Sequence, residues 1–210
     1  MSTYLVKETF LTLQGEGVNA GRTAVFCRFA GCNLWTGREE HRSIAVCQFC
    51  DTDFVGTDGP GGGHFRSARA LADHVRSFWR GAGRGLVVCT GGEPTLQLDE
   101  VLVGELHDHD LEIAIETNGT RPVPEGVDWV CLSPKAGAEV VATRADELKL
   151  VYPQVGAEPD RWVDFPADHH LLQPMDGPDR LANTEAAIEH CLSDPRWRLS
   201  VQTHKTLGIP

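Results

Sequence analysis

The stretch GLVVCTGGEPTLQLDEVLVGELH, residues 85–107, decides the fold of this 210-residue chain. Gly85–Thr90 is apolar at nearly every position and partly β-branched, as strands buried on both faces tend to be. Two glycines and Pro94 end that run. Thr95–His107 then takes up helical spacing, with Thr95 as a predicted N-cap and Pro94 at the edge of the helix start. Strand, turn and helix in this order are half of a parallel crossover unit, and the same order recurs outward in both directions. Strand-like runs lie at Thr23–Phe29, Leu111–Thr117, Val127–Ser133, Glu147–Tyr152, His169–Pro174 and Arg198–Thr203. Helical patterns lie at Ser67–Trp79, with Ser67 as N-cap, and at Asn183–Cys191. The intervals 133–146 and 153–168 are too broken by Pro and Gly for long helices. The predicted fold is therefore α/β: an incomplete (β/α) barrel with six or seven mainly parallel strands and reduced outer helices. Gly56–Gly63 (GTDGPGGG) reads as a flexible loop within a single domain spanning 1–210, since neither flank is long enough for two comfortable cores.

Composition narrows the functional classes. Hydrophobic content of 41% and charged content of 23% are those of an ordinary globular protein. A net charge of −11 argues against nucleic acid and against an anionic membrane surface as partners, while leaving room for a local basic pocket. The N-terminus lacks a basic segment followed by an apolar run, and no stretch approaches bilayer length, so the chain reads as cytoplasmic. Seven cysteines without a secretion signal read as reduced thiols. Cys27, Cys89, Cys131 and Cys191 stand alone in apolar runs and read as small core residues.

Polar clusters follow the strand patterns at Thr90–Glu93, Glu116–Gly119, Ser133–Lys135, Gln173–Asp176 and Gln202–Lys205. In parallel α/β folds the C-terminal strand edge is where sites are built. After the run at Thr23–Phe29 come Cys32, Cys47 and Cys50, on an enlarged loop at about 30–52. Three thiolates are one fewer than a closed metal site needs. A structural zinc with His41 as fourth ligand, in a zinc-stabilised binding module, is one reading. The other histidines, His64, His74, His107, His109, His169 and His170, form no recognisable ligand set. Two features favour a different reading: Phe49 is an aromatic before Cys50, and Gly91-Gly92-Glu93-Pro94 directly follows a buried strand, where glycines permit close backbone approach to a ligand.

Together these residues resemble the radical S-adenosylmethionine (SAM) superfamily, whose usual signature is C-x3-C-x2-C with an aromatic before the third cysteine and a Gly-Gly-Glu motif downstream. The first spacer departs from that pattern, with fourteen residues between Cys32 and Cys47. It leaves Cys27 open as an alternative ligand. Within the superfamily the chain resembles the 7-carboxy-7-deazaguanine synthase family, in which the cluster-binding loop is variable. Leu13–Gly17, Arg28, Asp51-Thr52, Glu116–Gly119, Ser133–Lys135, Gln173-Pro174 and Gln202–Lys205 carry that likeness. An activating enzyme for a glycyl-radical partner is the competing enzyme class; the long spacer and Arg28 speak against it.

The resemblance implies that Cys32, Cys47 and Cys50 hold a 4Fe–4S cluster whose fourth iron binds SAM, and that SAM cleavage yields a 5′-deoxyadenosyl radical. It implies a SAM pocket of Gln48, Phe49, Gly92, Glu93, Ser133, Pro134, Lys135, Gln173, Pro174, Met175 and Asp176, with Phe49 near the adenine and Glu93 at the methionyl amine. Substrate binding by Leu13, Gln14, Gly15, Arg28 and Thr90 follows, Arg28 offering a planar fork to a carboxylate. Thr52 would bind Mg2+ through its hydroxyl, bridging to that carboxylate. The implied reaction takes hydrogen from C6 of 6-carboxy-5,6,7,8-tetrahydropterin and contracts the ring. It releases ammonia and forms 7-carboxy-7-deazaguanine, on the way to queuosine and other 7-deazapurines. A flavodoxin- or ferredoxin-type electron donor belongs to that chemistry, and an open barrel edge suits a homodimer. Because the sequence stops at Gly208-Ile209-Pro210, the carboxylate at Pro210 is expected to fold into the pocket and accept from the pterin.

Overall fold

The computed structural model describes residues 3–210. One nine-stranded sheet organises it, in the order β3-β1-β2-β4-β5-β6-β7-β8-β9. The strands are β1 (Tyr4–Leu13), β2 (Thr23–Phe29), β3 (Gly63–Phe65), β4 (Gly85–Gly91), β5 (Leu111–Thr117), β6 (Trp129–Leu132), β7 (Ala145–Tyr152), β8 (Ala167–Pro174) and β9 (Trp197–Leu199). From β2 to β9 every neighbour is parallel, whereas β1 runs antiparallel to both β2 and β3. The expected count of six or seven strands is thus too low by β1 and β3. Lys7 and Glu8, side by side in the middle of β1, break its alternation; β3 is three residues long and takes its pairing from β1.

Helices α1 (Ala68–Phe78) and α2 (Glu100–Asp108) cover one face of β1, β2, β4 and β5, packing Leu71, Val75, Leu102 and Leu106 on Val25, Val87, Ile113 and Ile115. Leu86 and Val88 project to the opposite face, against Ala24 and Ala114. The continuous apolar run of β4 is therefore buried on both sides, as its pattern predicts. Helix α3 (Arg180–Ser193) covers the far end, where Ala187 and Trp197 pack with Leu148, Leu150 and Leu172. Cys27, Cys89 and Cys131 are buried, Cys191 is half-buried, and all seven cysteines are free. Among the described residues no helix is long and apolar enough to cross a membrane.

Ser67 caps α1, its side chain accepting from Ala70 N at 3.2 Å. Thr95 is not the cap of α2. The chain first makes a single 3-10 turn at Pro94–Leu96, and Asp99 caps the helix, accepting from Leu102 N at 2.9 Å. The intervals 133–146 and 153–168 hold no α-helix, only a 3-10 turn at Pro159–Arg161. The glycine-rich loop Gly56–Gly63, expected to be flexible, is laced to β1: Gly59 N donates to Lys7 O at 3.0 Å and Thr9 N to Pro60 O at 2.8 Å.

That lacing tolerates no side chain at Gly62, where a Cβ would collide with the carbonyl oxygens of Lys7 and Thr57. Gly62→Ala is expected to cost about 2 kcal/mol, seen as a lower urea midpoint at unchanged slope. Gly104, exposed inside α2 with open space around it, is the counterpart. Gly104→Ala should raise stability by about 0.8 kcal/mol through helix propensity.

Candidate active site

Parallel strands deliver their C-terminal ends to one edge of the sheet, and a cavity of about 410 Å³ opens there. The polar clusters at the strand ends line it: Thr90–Gly92 at the end of β4, Glu116–Asn118 at β5, Ser133 and Lys135 after β6, Gln173–Asp176 at β8, and Gln202, His204 and Lys205 after β9. Leu13, Gln14 and Gly15 also line it, but they arrive from the opposite direction, since β1 is antiparallel. Gly15 O accepts from Thr203 N at 2.9 Å, so this turn closes on α4 (Thr203–Leu207). Pro210 completes the wall, its carbonyl oxygen accepting from the Thr12 hydroxyl at 2.8 Å.

The long spacer between Cys32 and Cys47 is folded. Leu34 O accepts from Val46 N at 3.1 Å and from Cys47 N at 3.4 Å, which pins the two ends of the spacer together. Between them runs a 3-10 helix, Glu39–Ile44. Trp35 is buried edge-on against Phe54, and Arg42 lies 4.1 Å over the Trp35 ring while donating to Gln48 O and Cys50 O. Cys32, Cys47 and Cys50 consequently line one side of the cavity beside Phe49 and Thr52. Burial pushes the Cys32 and Cys47 thiols up. His41 is turned to Thr36, 2.9 Å away, and lies off the cavity; Cys27 is sealed in the core under α1 and α2. Among the described residues no three His, Cys, Asp or Glu side chains gather as ligands of a single ion.

A second feature was invisible to motif reading. Lys149, buried in mid-β7, forms ion pairs with Glu16 and with Glu116, the latter at 3.4 Å. Gln14 Nε2 donates to Glu116 Oε1 at 3.0 Å and Gln202 Nε2 to Glu16 Oε1 at 2.8 Å. Burial by itself would raise the Glu16 carboxyl, but the charge and hydrogen bond of Lys149 outweigh it and hold the group at about 2. Burial likewise works against the Lys149 ammonium, and its acidic neighbours, Glu116 and Glu16 among them, carry it well above its ordinary value. The available signal was Lys149 itself, a charge between two leucines on the same strand face as Glu147.

Arg28 lines the cavity and its Nε donates to Glu8 Oε1 at 2.7 Å. Lys205 Nζ bridges Asp51 and Asp176 at 2.5 and 2.6 Å, joining α4 to the cysteine loop and to the loop after β8. Lys135 Nζ donates to Ser133 O and Oγ, and burial holds its amine below the usual lysine range. Three predicted site residues do not line the cavity. Gln48 turns outward to Ser43 O and Ala45 O, and Pro134 is buried behind the wall, its carbonyl facing Gln154. Glu93 is wholly buried, and its carboxylate accepts from Thr95 N and Oγ1, Thr117 Oγ1 and Asn118 N.

Residues 41–147 match the radical SAM superfamily, a span that begins after Cys32. The chain is 61% identical to the 7-carboxy-7-deazaguanine synthase of Caulobacter vibrioides, over 99% of this chain and 100% of that one. It is 59% identical to the enzyme of the same name from Bordetella pertussis, over 99% of each chain. The crystal structure of QueE from Escherichia coli matches with a TM-score of 0.73 at 29% identity, covering 95% of this chain and 94% of that one.

Removing Lys149 tests the charged floor. Lys149→Met should cost about 3 kcal/mol or more at neutral pH, because two carboxylates lose their buried counter-charge. Glu16 has a depressed folded pKa, so its contribution is present above 4.5 and lost as pH falls toward about 2. The stability gap between variant and wild type should therefore be widest above pH 4.5 and narrow below it, measured by denaturant titration across that range.

Proposed function

The chain belongs to the radical SAM superfamily and, within it, to the 7-carboxy-7-deazaguanine synthases, and from that membership we propose how its own residues divide the work. It is an enzyme that converts 6-carboxy-5,6,7,8-tetrahydropterin to 7-carboxy-7-deazaguanine with release of ammonia. The observation that carries the residue assignment is the convergence of Cys32, Cys47 and Cys50 on one cavity that also holds Arg28 and a charged floor.

Three free thiols and, among the described residues, no fourth ligand fit a 4Fe–4S cluster, which takes each thiolate on a separate iron, better than one zinc ion, which draws all its ligands to about 2.3 Å. Cys32, Cys47 and Cys50 would hold that cluster. Bound there, cluster and SAM supply the one-electron chemistry that yields a hydrogen-abstracting radical. Phe49, Gly92, Ser133, Lys135 and Gln173–Asp176 form the SAM side of the cavity. Gln48, Glu93 and Pro134 act from behind that wall, Glu93 by holding the backbone of Asn118 and the turn after β4.

Arg28 receives the substrate carboxylate. Thr52, on the same wall, would hold a Mg2+ ion through its hydroxyl, and that ion would supply positive charge to an anionic substrate. Leu13, Gln14, Gly15, Thr90 and Pro210 meet the edges of the pterin, and the carboxylates of Glu16 and Glu116 accept from its donor-rich N–H edge. Two contacts support an incomplete barrel: Val18 N donates to Glu147 on β7 and Gly17 N to Ser200 beyond β9, as expected of a sheet curled around the cavity. The edge strands β3 and β9 leave a place for a second copy in a homodimer. Reduced cysteines suit the cytoplasm, and a flavodoxin- or ferredoxin-type protein would supply the electron.

Anoxic reconstitution with iron and sulfide tests the assignment. Cys32→Ala, Cys47→Ala and Cys50→Ala should each abolish turnover and lose the visible absorbance of the cluster, while Cys27→Ala keeps both. Loss of the cluster in Cys27→Ala with retention in Cys32→Ala would overturn the ligand set. Thr52→Ala should raise the Mg2+ concentration needed for half-maximal rate.

A further inference from the structure

Two registers meet in the β1–β2 pair. From Leu13 opposite Thr23 the ladder runs unbroken to Glu8 opposite Arg28, yet the next pair is Val6 opposite Phe29, which leaves Lys7 as an extra residue in a β-bulge. The bulge has two consequences. Tyr4 and Val6 face the core under α1, so strict alternation would send Glu8 into that apolar core. Carried on from Val6, the same register would also set Lys7 opposite Arg28, two like charges across an antiparallel pair. With the bulge, Lys7 and Glu8 both line the cavity although they are neighbours in the chain. The Lys7 ammonium turns to Val55 O, Asp53 and Asp58, each within 2.9 Å, and Glu8 takes the place beside Arg28.

The bond between them uses one edge of the guanidinium. Arg28 Nε donates to Glu8 Oε1 at 2.7 Å, and both side chains are largely shielded, at 19% and 25% exposure. Among the described residues the two Nη nitrogens have no protein acceptor. Those nitrogens form the end of the fork that engages a carboxylate through two parallel hydrogen bonds. A free arginine side chain loses rotamer freedom when it binds an anion; one already held through Nε has lost it beforehand.

We propose that Glu8 is the positioning residue that aims Arg28 at the carboxylate of the substrate, and that the bulge at Lys7 brings it there. This rests on Arg28 being the carboxylate receptor. Without Glu8 the arginine regains its freedom and the acid binds less tightly. If Glu8 merely competed with the substrate for Arg28, its removal would tighten binding.

Steady-state assays on the reconstituted anoxic enzyme separate these outcomes, using 6-carboxy-5,6,7,8-tetrahydropterin as substrate and tetrahydropterin lacking the carboxylate as inhibitor. Glu8→Ala is expected to raise KM for the acid roughly fivefold to tenfold. The KM for SAM should move by less than about twofold, and so should the inhibition constant of the carboxylate-free analogue, which gives Arg28 nothing to hold. Glu8→Gln, which keeps an acceptor, should recover most of the loss, and Glu8→Asp, too short to reach, should not. Arg28→Ala run in parallel distinguishes the two levels. If it leaves KM for the acid unmoved, the Arg28 reading and this inference both fall. If it raises KM while Glu8→Ala leaves it unmoved or lowers it, the positioning role alone is wrong. Equal weakening of acid and analogue would show general damage to the cavity and overturn the role as well. Should Glu8→Ala fail to fold, the contrast between Glu8→Gln and Glu8→Asp decides the same question.

Discussion

The structure around the cavity depends on the burial of one carboxylate. Glu93 is out of contact with water, and a carboxylate in that position is tolerable only when its oxygens are saturated with donors. Thr95 supplies two, Thr117 one and the backbone of Asn118 a fourth. The backbone N–H of Glu93 donates to Gly31 O at 2.9 Å, and Asn118 Nδ2 donates to Asn33 Oδ1 at 3.0 Å. The turn after β4, the end of β5 and the first residues of the cysteine loop are thereby tied to one point. Gly91 and Gly92 serve the same junction: a Cβ on either would strike the backbone of Phe29 or Gly31, so the glycines bring chain against chain there.

Charge follows the same logic inside an acidic protein. A chain of net charge −11 concentrates Lys7, Arg28, Lys135, Lys149 and Lys205 around one cavity. Four of them are matched to carboxylates: Lys7 to Asp53 and Asp58, Arg28 to Glu8, Lys149 to Glu16 and Glu116, Lys205 to Asp51 and Asp176. Cations shielded from water need partners, and the pairings of Lys7, Lys149 and Lys205 also join segments far apart in sequence. Lys135 is the exception: among the described residues it is held by Ser133 alone, and burial next to Cys47 lowers it. Fixed cations around an anionic substrate are pre-organised rather than recruited, which lowers the ordering cost of binding.

Much of this was legible along the chain because it is local. Strands buried on both faces show as unbroken apolar runs, and β4, β5, β7 and β8 were found within a few residues. Ser67 could be read as a cap because a cap acts over three residues. The polar clusters could be placed on one edge because parallel strands share a direction. Thr95 failed as a cap because Pro94 begins a single 3-10 turn, leaving Asp99 to start the helix. Strand β3 was missed since three residues carry no period, and β1 since its bulge sets two charges side by side.

By itself the sequence determined the α/β class, the cysteine triad, the Gly-Gly-Glu turn and the family, all of them properties of residue type and short spacing. Only the tertiary structure decided how a fourteen-residue spacer brings Cys32 to Cys47, since that rests on the Leu34 carbonyl accepting from both Val46 and Cys47. It also decided that Glu93 is a strut behind the wall, that Lys149 sits beneath two carboxylates, and that Glu8 and not Lys7 stands opposite Arg28. The physical reason is common to these cases. A charge buried far from its partner in sequence declares its role only when the fold has removed the water that would otherwise solvate it.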